Sequence, residues 1–312
     1  MERNLHILSR FTDTASFVYI EHAVIERHDS SIEIRRATES VDVPAASIST
    51  VVLGPGTRIS HAAMVALAEC GAGVIWAGEE MQRFYASGHG KSRSASNLLR
   101  QASAWADPER RMEVVQQLYR LRFDEALPAE LTLAQVRGRE GVRVREAYAK
   151  ASRDFGVPWA GRKYNRGDWD AADPVNRALS AGATVLYGIC HSAIAAAGFS
   201  PGIGFIHTGK ALAFVYDLAD LYKVEVLVPS AFAAAADAAG RPETTVRGLL
   251  RQRCCEARIM DRIMRDLARL FDGPELAPGV DAESLDREDA PAQLWGPDQT
   301  VTGGVNYGGD DT

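Results

Sequence analysis

The chain has only four cysteines, and their spacing argues against the common cysteine-based sites. They lie at Cys70, Cys190, Cys254 and Cys255. Zinc ligands recur at short, regular spacings that these positions do not offer, and the adjacent pair at 254 and 255 is a poor disulfide candidate. We therefore expect free thiols, largely buried, and no cysteine-ligated metal.

Long hydrophobic runs are also scarce. No apolar run approaches the roughly 20 residues that a helix needs to cross a bilayer, and the first ten residues, MERNLHILSR, lack the apolar core of a signal peptide. The 312 residues are 46% hydrophobic and 24% charged, which is typical of a globular protein with room for two domains. We expect a cytoplasmic location.

Basic residues are almost absent from the end of the chain. From Glu275 to Thr312 there are nine acidic residues and one basic residue, Arg287, so this tail carries -8 of a total net charge of -6. The rest of the chain therefore carries +2, and the acidity of the whole does not exclude a polyanionic partner. The tail is rich in Pro, Gly and Asp, and we expect it to be disordered until something binds it.

Basic side chains concentrate in the middle of the chain instead. Between Arg137 and Arg166, nine basic residues stand against three acidic ones. Such a surplus suggests a surface for a polyanion such as nucleic acid. A solvated helix face would show the same count, so charge alone leaves both interpretations open.

Short runs of β-branched and aromatic residues, separated by glycine and proline, fill the first part of the chain. They predict a β-rich domain at residues 1–88. One segment, SHAAMVALAECG, has instead the pattern of a helix capped by Ser60 and closed by Gly71.

Helical periodicity follows a predicted linker at residues 89–98 and continues nearly to Phe271. It predicts an α-helical domain at residues 99–274, before the flexible acidic tail at residues 275–312. The expected fold class is therefore α+β, a small amino-terminal β-sheet domain followed by a larger all-helical domain.

The segment GFIHTGKALAFVYDLADLYK, residues 204–223, carries an unusual set of polar groups. Gly204–Lys210 has the spacing of a P-loop, but Ala211 replaces the required Ser or Thr and no hydrophobic strand precedes it, which excludes an NTPase of that kind. We interpret HTGK as the start of a helix, where free amides, Thr208 and Lys210 suit a phosphate oxygen.

Two aspartates in the same segment, Asp217 and Asp220, are three residues apart and share a helix face with apolar neighbours. Carboxylates in this position repel each other and lose hydration, so they need a cation. Lys210, Lys223 or a divalent metal would supply one. An exposed pair on a solvated stripe is the plainer alternative. His207 joins the site if its loop folds back.

Glu140 is a further acidic candidate. It lies among arginines in the helical stretch VRGREGVRVREAYAK. This pattern predicts either salt bridges along a helix, each worth about 0.2–0.5 kcal/mol, or an acidic ligand at the floor of a basic groove. Oxygen ligands suit magnesium or manganese, and a histidine among them favours tolerance of manganese.

Four long segments together resemble one family. They are VVLGPGTRISHAAM, RGREGVRVREAY, GRKYNRGDWDAADPVNRALSAGATVLYG and AAGFSPGIGFIHTGKALAFVYDLADLYK. They are similar to the CRISPR-associated spacer-acquisition integrase, the universal adaptation nuclease, in its type I-E branch. The resemblance covers about residues 5–272.

The resemblance implies a set of site residues. The metal-binding glutamate of the family corresponds to Glu140, its histidine to His207 and its carboxylate to Asp220, with Asp217 as a supporting catalytic acid. The implied cofactor is Mg²⁺ or Mn²⁺. The residues expected to bind DNA or to shape the catalytic pocket are Arg58, Arg83, Arg137, Arg162, Lys163, Tyr164, Trp169, Tyr187, Lys210, Tyr216 and Arg247.

The resemblance also implies an activity in antiviral defence. Prespacer 3′-hydroxyl ends would be joined to the repeat of a CRISPR array by transesterification, and the same site would hydrolyse DNA when water replaces the hydroxyl. The implied partners are duplexes with single-stranded 3′ ends, CRISPR repeat DNA and a small ferredoxin-like second adaptation protein. Two homodimers, each built on the β-rich dimerisation domain, would flank a central dimer of that protein, and no membrane is involved.

Two rival functions remain open from the residues alone. One is a structure-selective nuclease acting on branched DNA, and the other is a noncatalytic DNA-binding scaffold whose acids balance arginines. The tail has alternatives as well: it either docks on the partner protein or only aids solubility. Its candidate anchors are Leu294, Trp295, Val301, Val305 and Tyr307.

Overall fold

The computed structural model describes most of the chain outside the two ends. Four predicted DNA-binding residues, Arg83, Lys163, Tyr164 and Trp169, lie outside the described residues. The described ranges are 17–48, 50–70, 72–78, 84–88, 95–123, 127–128, 130–162, 173–237, 241–271, 293–294 and 301–302.

The amino-terminal part forms two four-stranded sheets and a helix, α1 (His61–Glu69). The strands are β1 (Phe17–Ile20), β2 (Val24–His28), β3 (Ser31–Arg35), β4 (Ser40–Pro44), β5 (Thr50–Leu53), β6 (Arg58–Ile59), β7 (Gly73–Ala77) and β8 (Phe84–Gly88). One sheet has the order β1-β5-β7-β8, in which only β8 runs antiparallel to its neighbour. The other has the order β4-β3-β2-β6, in which β6 is parallel to β2 and the rest are antiparallel.

Helix α1 begins where its capping residue predicts. The Ser60 hydroxyl accepts a hydrogen bond from the Ala63 amide, which satisfies one of the free donors of the first turn. The helix ends with Cys70 as its C-cap, while Gly71, the predicted stop, lies outside the described residues.

The first sheet joins the two halves of the molecule because its two faces belong to different cores. Val51 and Val74 pack in the amino-terminal core, whereas Val52 and Ile75 pack in the core of the helical domain. Successive side chains of a strand point to opposite faces, so a run of buried apolar residues can serve both cores at once.

The second part of the chain is helical, which confirms the expected α+β class. Its first helix begins at Ser96, within the predicted linker at residues 89–98. The helices are α2 (Ser96–Ala106), α3 (Pro108–Arg120), α4 (Leu133–Phe155), α5 (Pro174–Ala196), α6 (Ala213–Tyr222), α7 (Val228–Ala236), α8 (Pro242–Glu256) and α9 (Ile259–Leu270). A π-helical turn, Lys223–Leu227, joins α6 to α7.

Helix α5 lies at the centre of this domain and corrects one expectation. Its residues Pro174–Ala195 form a stretch of 22 residues that contains an 18-residue window with a mean hydropathy of 1.4, long and apolar enough by composition to cross a membrane. The expectation that no apolar run approaches this length was therefore wrong. The helix is apolar because it is surrounded by protein: 78% of that window is buried.

Two smaller expectations can be compared with the structure. All four cysteines are free, and Cys190 and Cys254 are buried, as predicted. In the acidic tail, residues Gln293–Leu294 form a strand (β9) that pairs antiparallel with Val301–Thr302 (β10). The sequence did not predict this pairing, which joins two of the proposed anchors, Leu294 and Val301.

Candidate active site

Glu140 is presented by α4, the helix that carries much of the basic stretch. Thr132 and Gln135 form a reciprocal capping box at its start, and Gly156, at a φ of 65°, closes it. Glu140 is partly buried, and its Oε1 accepts a hydrogen bond of 2.9 Å from Arg122 Nη1. Glu140 is therefore paired with an arginine just after the end of α3 and not with an arginine of its own helix.

Asp217 anchors the loop before α6. Its carboxylate is fully buried and accepts hydrogen bonds from three consecutive backbone amides, those of Phe205, Ile206 and His207, at 2.6, 3.1 and 2.8 Å. The alternative of an exposed aspartate pair is therefore wrong for Asp217. Because it is buried and accepts from three amides, this carboxylate holds the loop in place.

The loop corrects the interpretation of HTGK as a helix start. Helix α6 begins at Ala213, after a loop in which Gly209 has a φ of 72°. The amides of Phe205, Ile206 and His207 donate to Asp217, so within HTGK the His207 amide is satisfied without a phosphate. Lys210 itself is exposed in this loop.

His207 is held by the same carboxylate. Its Nδ1 lies 2.7 Å from Asp217 Oδ1, and its side chain is 42% exposed. The hydrogen bond to Asp217 raises the pKa of His207, opposed by partial burial. A carboxylate on Nδ1 fixes the ring and leaves Nε2 for a further partner, which is the usual support of a metal-binding histidine.

Asp220 lies one turn beyond Asp217 on α6 and is paired with two cations. Lys223 Nζ lies 3.4 Å from its Oδ1, and Arg122 Nη2 lies 3.7 Å from its Oδ2. Lys223 is one of the cations that the sequence offered for this carboxylate. The second cation, Arg122, is the same group that binds Glu140.

Arg122 is the main residue that the sequence interpretation missed. A signal for it exists: Val115, Leu118 and Tyr119 form the buried face of α3, and Arg122 follows at the next position of that face. A charged residue at an apolar helical position needs a partner inside the protein. The sequence does not say which partner, because Glu140 and Asp220 come from other helices.

Two predicted tyrosines complete the cluster. Tyr187 on α5 and Tyr216 on α6 are in edge contact, with ring centroids 5.0 Å apart, and Tyr216 also contacts His207 at 5.8 Å. Burial, and then the charge of Asp220, raise the pKa of Tyr187 to about 12, so its hydroxyl remains protonated and can donate a hydrogen bond.

The other described DNA-binding candidates lie on different elements. Arg162 is exposed and bonded to α5, through the backbone oxygen and Oδ1 of Asn176. Arg137 is exposed on α4, one turn before Glu140, and Nε donates to the Tyr119 hydroxyl. The remaining two, Arg58 in β6 and Arg247 on α8, lie on elements that carry none of the proposed metal ligands.

Gln101 is a second residue that sequence reasoning missed. It is fully buried in α2, and its side chain makes three hydrogen bonds to the loop that leads to His207. Nε2 donates to the oxygens of Ser200 and Ile203, and Oε1 accepts from the Ser200 amide. A buried glutamine with its bonds satisfied by one loop holds that loop in place.

The donor chemistry of the cluster fits a hard divalent cation. Glu140 and Asp220 converge on one guanidinium, which shows that their carboxylates can share a cation, and His207 offers a nitrogen supported by Asp217. Among the described residues, however, no three His, Cys, Asp or Glu side chains lie close enough together to hold one metal ion. The metal ligands therefore remain a prediction.

Comparison with known proteins identifies the family. The family model described as CRISPR associated protein Cas1 matches residues 17–127 and 120–236. The chain is 54% identical over 309 residues to CRISPR-associated endonuclease Cas1 2 of Thermus thermophilus, covering 99% of this chain and 95% of that relative.

Solved structures agree with this match. A crystal structure of a TtCas1–DNA complex is 55% identical, with a TM-score of 0.77, covering 86% of this chain and 100% of that one. A CAS1 protein from Thermotoga maritima, 14% identical with a TM-score of 0.56, covers 85% of this chain and 99% of that one, and shows the same fold. This chain is a member of the Cas1 family of CRISPR-associated proteins.

Proposed function

We propose that this protein is a metal-dependent DNA integrase and endonuclease of CRISPR adaptation, of the type I-E branch. Its reaction joins prespacer 3′-hydroxyl ends into the repeat of a CRISPR array by transesterification. The observation that supports this most is the convergence of Glu140 and Asp220 on one guanidinium, together with a histidine whose ring is held by Asp217, one turn before Asp220. Membership of the Cas1 family, whose relatives are named endonucleases, supports the nuclease activity in this proposal.

Glu140, His207 and Asp220 would hold the cation, Mg²⁺ or Mn²⁺. When bound, such an ion stabilises the charge that develops on a phosphodiester and makes a hydroxyl or water a better nucleophile. The chain would supply two carboxylates, from α4 and α6, and one ring nitrogen, from the loop between α5 and α6.

Asp217 and Tyr187 would act through their hydrogen bonds. Asp217 selects Nε2 of His207 for the cation by engaging Nδ1. Tyr187, protonated because its pKa is raised to about 12, would donate to DNA at the edge of the site without taking part in proton transfer. Tyr216 packs between Tyr187 and His207 and keeps the three rings together.

DNA would be positioned through its phosphates. Arg137, three residues before Glu140, and Lys210, three residues after His207, are both exposed, and basic contacts to phosphates hold DNA without reading sequence. The relative named TtCas1, which has been crystallised with DNA, supports DNA as the ligand. The other predicted DNA-binding residues belong to the same proposal.

The assembly is proposed on family grounds. The chain would form a homodimer through its amino-terminal β domain, and two such homodimers would flank a central dimer of the small second adaptation protein. The acidic tail would dock on that partner, with Leu294 and Val301 brought together by the β9–β10 pair. We also propose a cytoplasmic location.

A strand-transfer assay tests the activity. A short duplex with 3′-hydroxyl ends would be incubated with a supercoiled repeat-bearing plasmid, the partner protein and Mg²⁺ or Mn²⁺. We expect joined product from the wild type and its loss in His207→Ala. His28→Ala is the matched control, because His28 is exposed in β2 and pairs with Asp42, away from the helical domain.

The products decide between the alternatives. Cleavage of branched DNA without joining would favour the structure-selective nuclease. If the wild type bound DNA without joining or cutting it, and Glu140→Ala and Asp220→Ala kept that affinity, the scaffold would be correct.

A further inference from the structure

Arg122 is a buried cation placed between two carboxylates that the proposed metal site uses. Its side chain is 3% exposed, and its guanidinium carbon lies 4.8 Å from the centre of the Tyr119 ring. A charge buried to this extent is costly unless it is paired. The pairing is supplied by Glu140 at 2.9 Å and Asp220 at 3.7 Å.

The local charges balance without a metal ion. Glu140 and Asp220 carry two negative charges, and Arg122 and Lys223 carry two positive ones within 4 Å of them. The Arg122 pairing is incomplete, because among the described residues its Nε and Nη2 are buried without a hydrogen-bond partner. The guanidinium therefore acts on the two carboxylates mainly through its charge and less through hydrogen bonds.

This arrangement has a consequence for cation binding. A divalent ion held by the same carboxylates would bind beside a charge of the same sign, and like charges oppose each other most strongly where water is excluded. Without Arg122, Glu140 and Asp220 would face each other with less compensation. They would then gain more from a divalent cation.

Resting on the proposed function, we propose that Arg122 is an internal counter-cation of the metal site. It holds Glu140 and Asp220 together when no metal is bound, and it weakens the binding of a divalent ion by competing for them. Arg122 is thus a positioning residue, and its charge sets the concentration of divalent ion that is needed to fill the site.

Calorimetric titration of the full chain with Mn²⁺ tests this directly. We expect Arg122→Gln to bind Mn²⁺ about three- to tenfold more tightly than the wild type, because one nearby positive charge is lost. Arg122→Lys keeps the charge and should stay within about twofold of the wild type. A purely structural role would predict weaker binding in Arg122→Gln, which would overturn the proposal.

Two control variants separate this inference from the proposed function. Arg177→Gln removes a part-buried arginine that pairs with Glu243 at 3.1 Å between α5 and α8, and it should leave the Mn²⁺ affinity unchanged. Glu140→Gln should abolish the binding. If Glu140→Gln abolishes binding while Arg122→Gln binds like the wild type, only the Arg122 proposal fails. If the wild type shows no Glu140-dependent Mn²⁺ binding, both proposals fail.

Thermal unfolding covers the case in which Arg122→Gln is poorly folded. The metal-free variant should unfold at a lower temperature than the wild type, and millimolar Mn²⁺ should raise its Tm by more than it raises that of the wild type. An equal or smaller Mn²⁺-induced rise in Tm would contradict the proposal.

Discussion

Asp217 contacts His207 twice through one oxygen: Oδ1 accepts from the His207 backbone amide at 2.8 Å and lies 2.7 Å from its ring Nδ1. The residue is therefore fixed at both its backbone and its side chain by a carboxylate ten positions later in the chain. Because that carboxylate is fully buried, the position of the histidine is tied to the core of the helical domain.

The ionisation of His207 should differ from that of the buried His191. The hydrogen bond to Asp217 raises the pKa of His207 above 6.5, whereas burial lowers that of His191 to about 4. NMR titration of the ring protons in the metal-free protein should place the pKa of His207 above the usual value and that of His191 below it. A pKa for His207 at or below 6.5 would contradict the hydrogen bond to a charged Asp217.

The same shift predicts the pH dependence of stability. Because the pKa of His207 is raised in the folded state, its contribution to the free energy of unfolding is fully present below about pH 6.5. That contribution is lost as the pH rises through the folded-state pKa. His191 acts in the opposite direction: its contribution is present at neutral pH and is lost as the pH falls from about 6.5 towards 4. Denaturation of His207→Ala and His191→Ala across this range would separate the two contributions.

Replacement of Asp217 by asparagine should destabilise the protein by about 3 kcal/mol, because an amide cannot accept from three backbone amides as a carboxylate does and its own NH₂ would face donors. The measurement is chemical denaturation. Asp154→Asn is the matched control, since Asp154 is exposed and pairs with Lys150 one turn away on α4. The control should change stability by less than about 0.5 kcal/mol. Equal effects of the two substitutions would show that the Asp217 bonds contribute little.

Gly204 should not tolerate a side chain. A Cβ at this position would lie 2.4 Å from the His207 backbone oxygen and 2.7 Å from the Ala213 backbone carbon, and neither atom can move without shifting the loop. We expect Gly204→Ala to destabilise the protein by about 2–3 kcal/mol. Thermal unfolding would measure the loss.

The matched control for Gly204 is Gly202→Ala in the same loop. Its Cβ would meet the Ala211 backbone oxygen at 3.5 Å, an ordinary contact, so the stability should change by less than about 0.5 kcal/mol. Similar Tm values for the two variants would mean that the loop adapts to a side chain at Gly204.

Gln101→Leu should lower stability by about 2–3 kcal/mol, because it leaves the backbone oxygens of Ser200 and Ile203 and the Ser200 amide without their partner in the buried Gln101 side chain. The substitution should also broaden or shift the NMR signal of His207, since the loop that carries it loses its attachment to α2. Gln252→Leu, whose exposed amide donates to Glu256 on the same helix, should do neither. An unchanged His207 signal in Gln101→Leu would show that Asp217 holds the loop alone.

Much of this protein could be predicted from its sequence because the responsible interactions are local. The order of a β domain and a helical domain follows from side-chain periodicity, and the start of α1 follows from the hydroxyl of Ser60, which bonds three residues away. The pairing of Lys223 with Asp220 is also local, as both lie on one helical turn. Glu140, His207 and Asp220 were candidates from their sequence surroundings, and motif resemblance assigned them as metal ligands, but neither carries geometry.

The tertiary structure alone decided how these residues meet. Arg122 has the helical position of a core residue, but its partners come from α4 and α6, and no local rule selects Glu140 and Asp220 from the other acids of the chain. Likewise, the sequence offered the His207 amide to a phosphate, and only the fold shows that it donates to Asp217. Local preferences determined the elements, whereas the burial of apolar faces and the pairing of buried charges, which involve elements far apart in the chain, determined which of them came together.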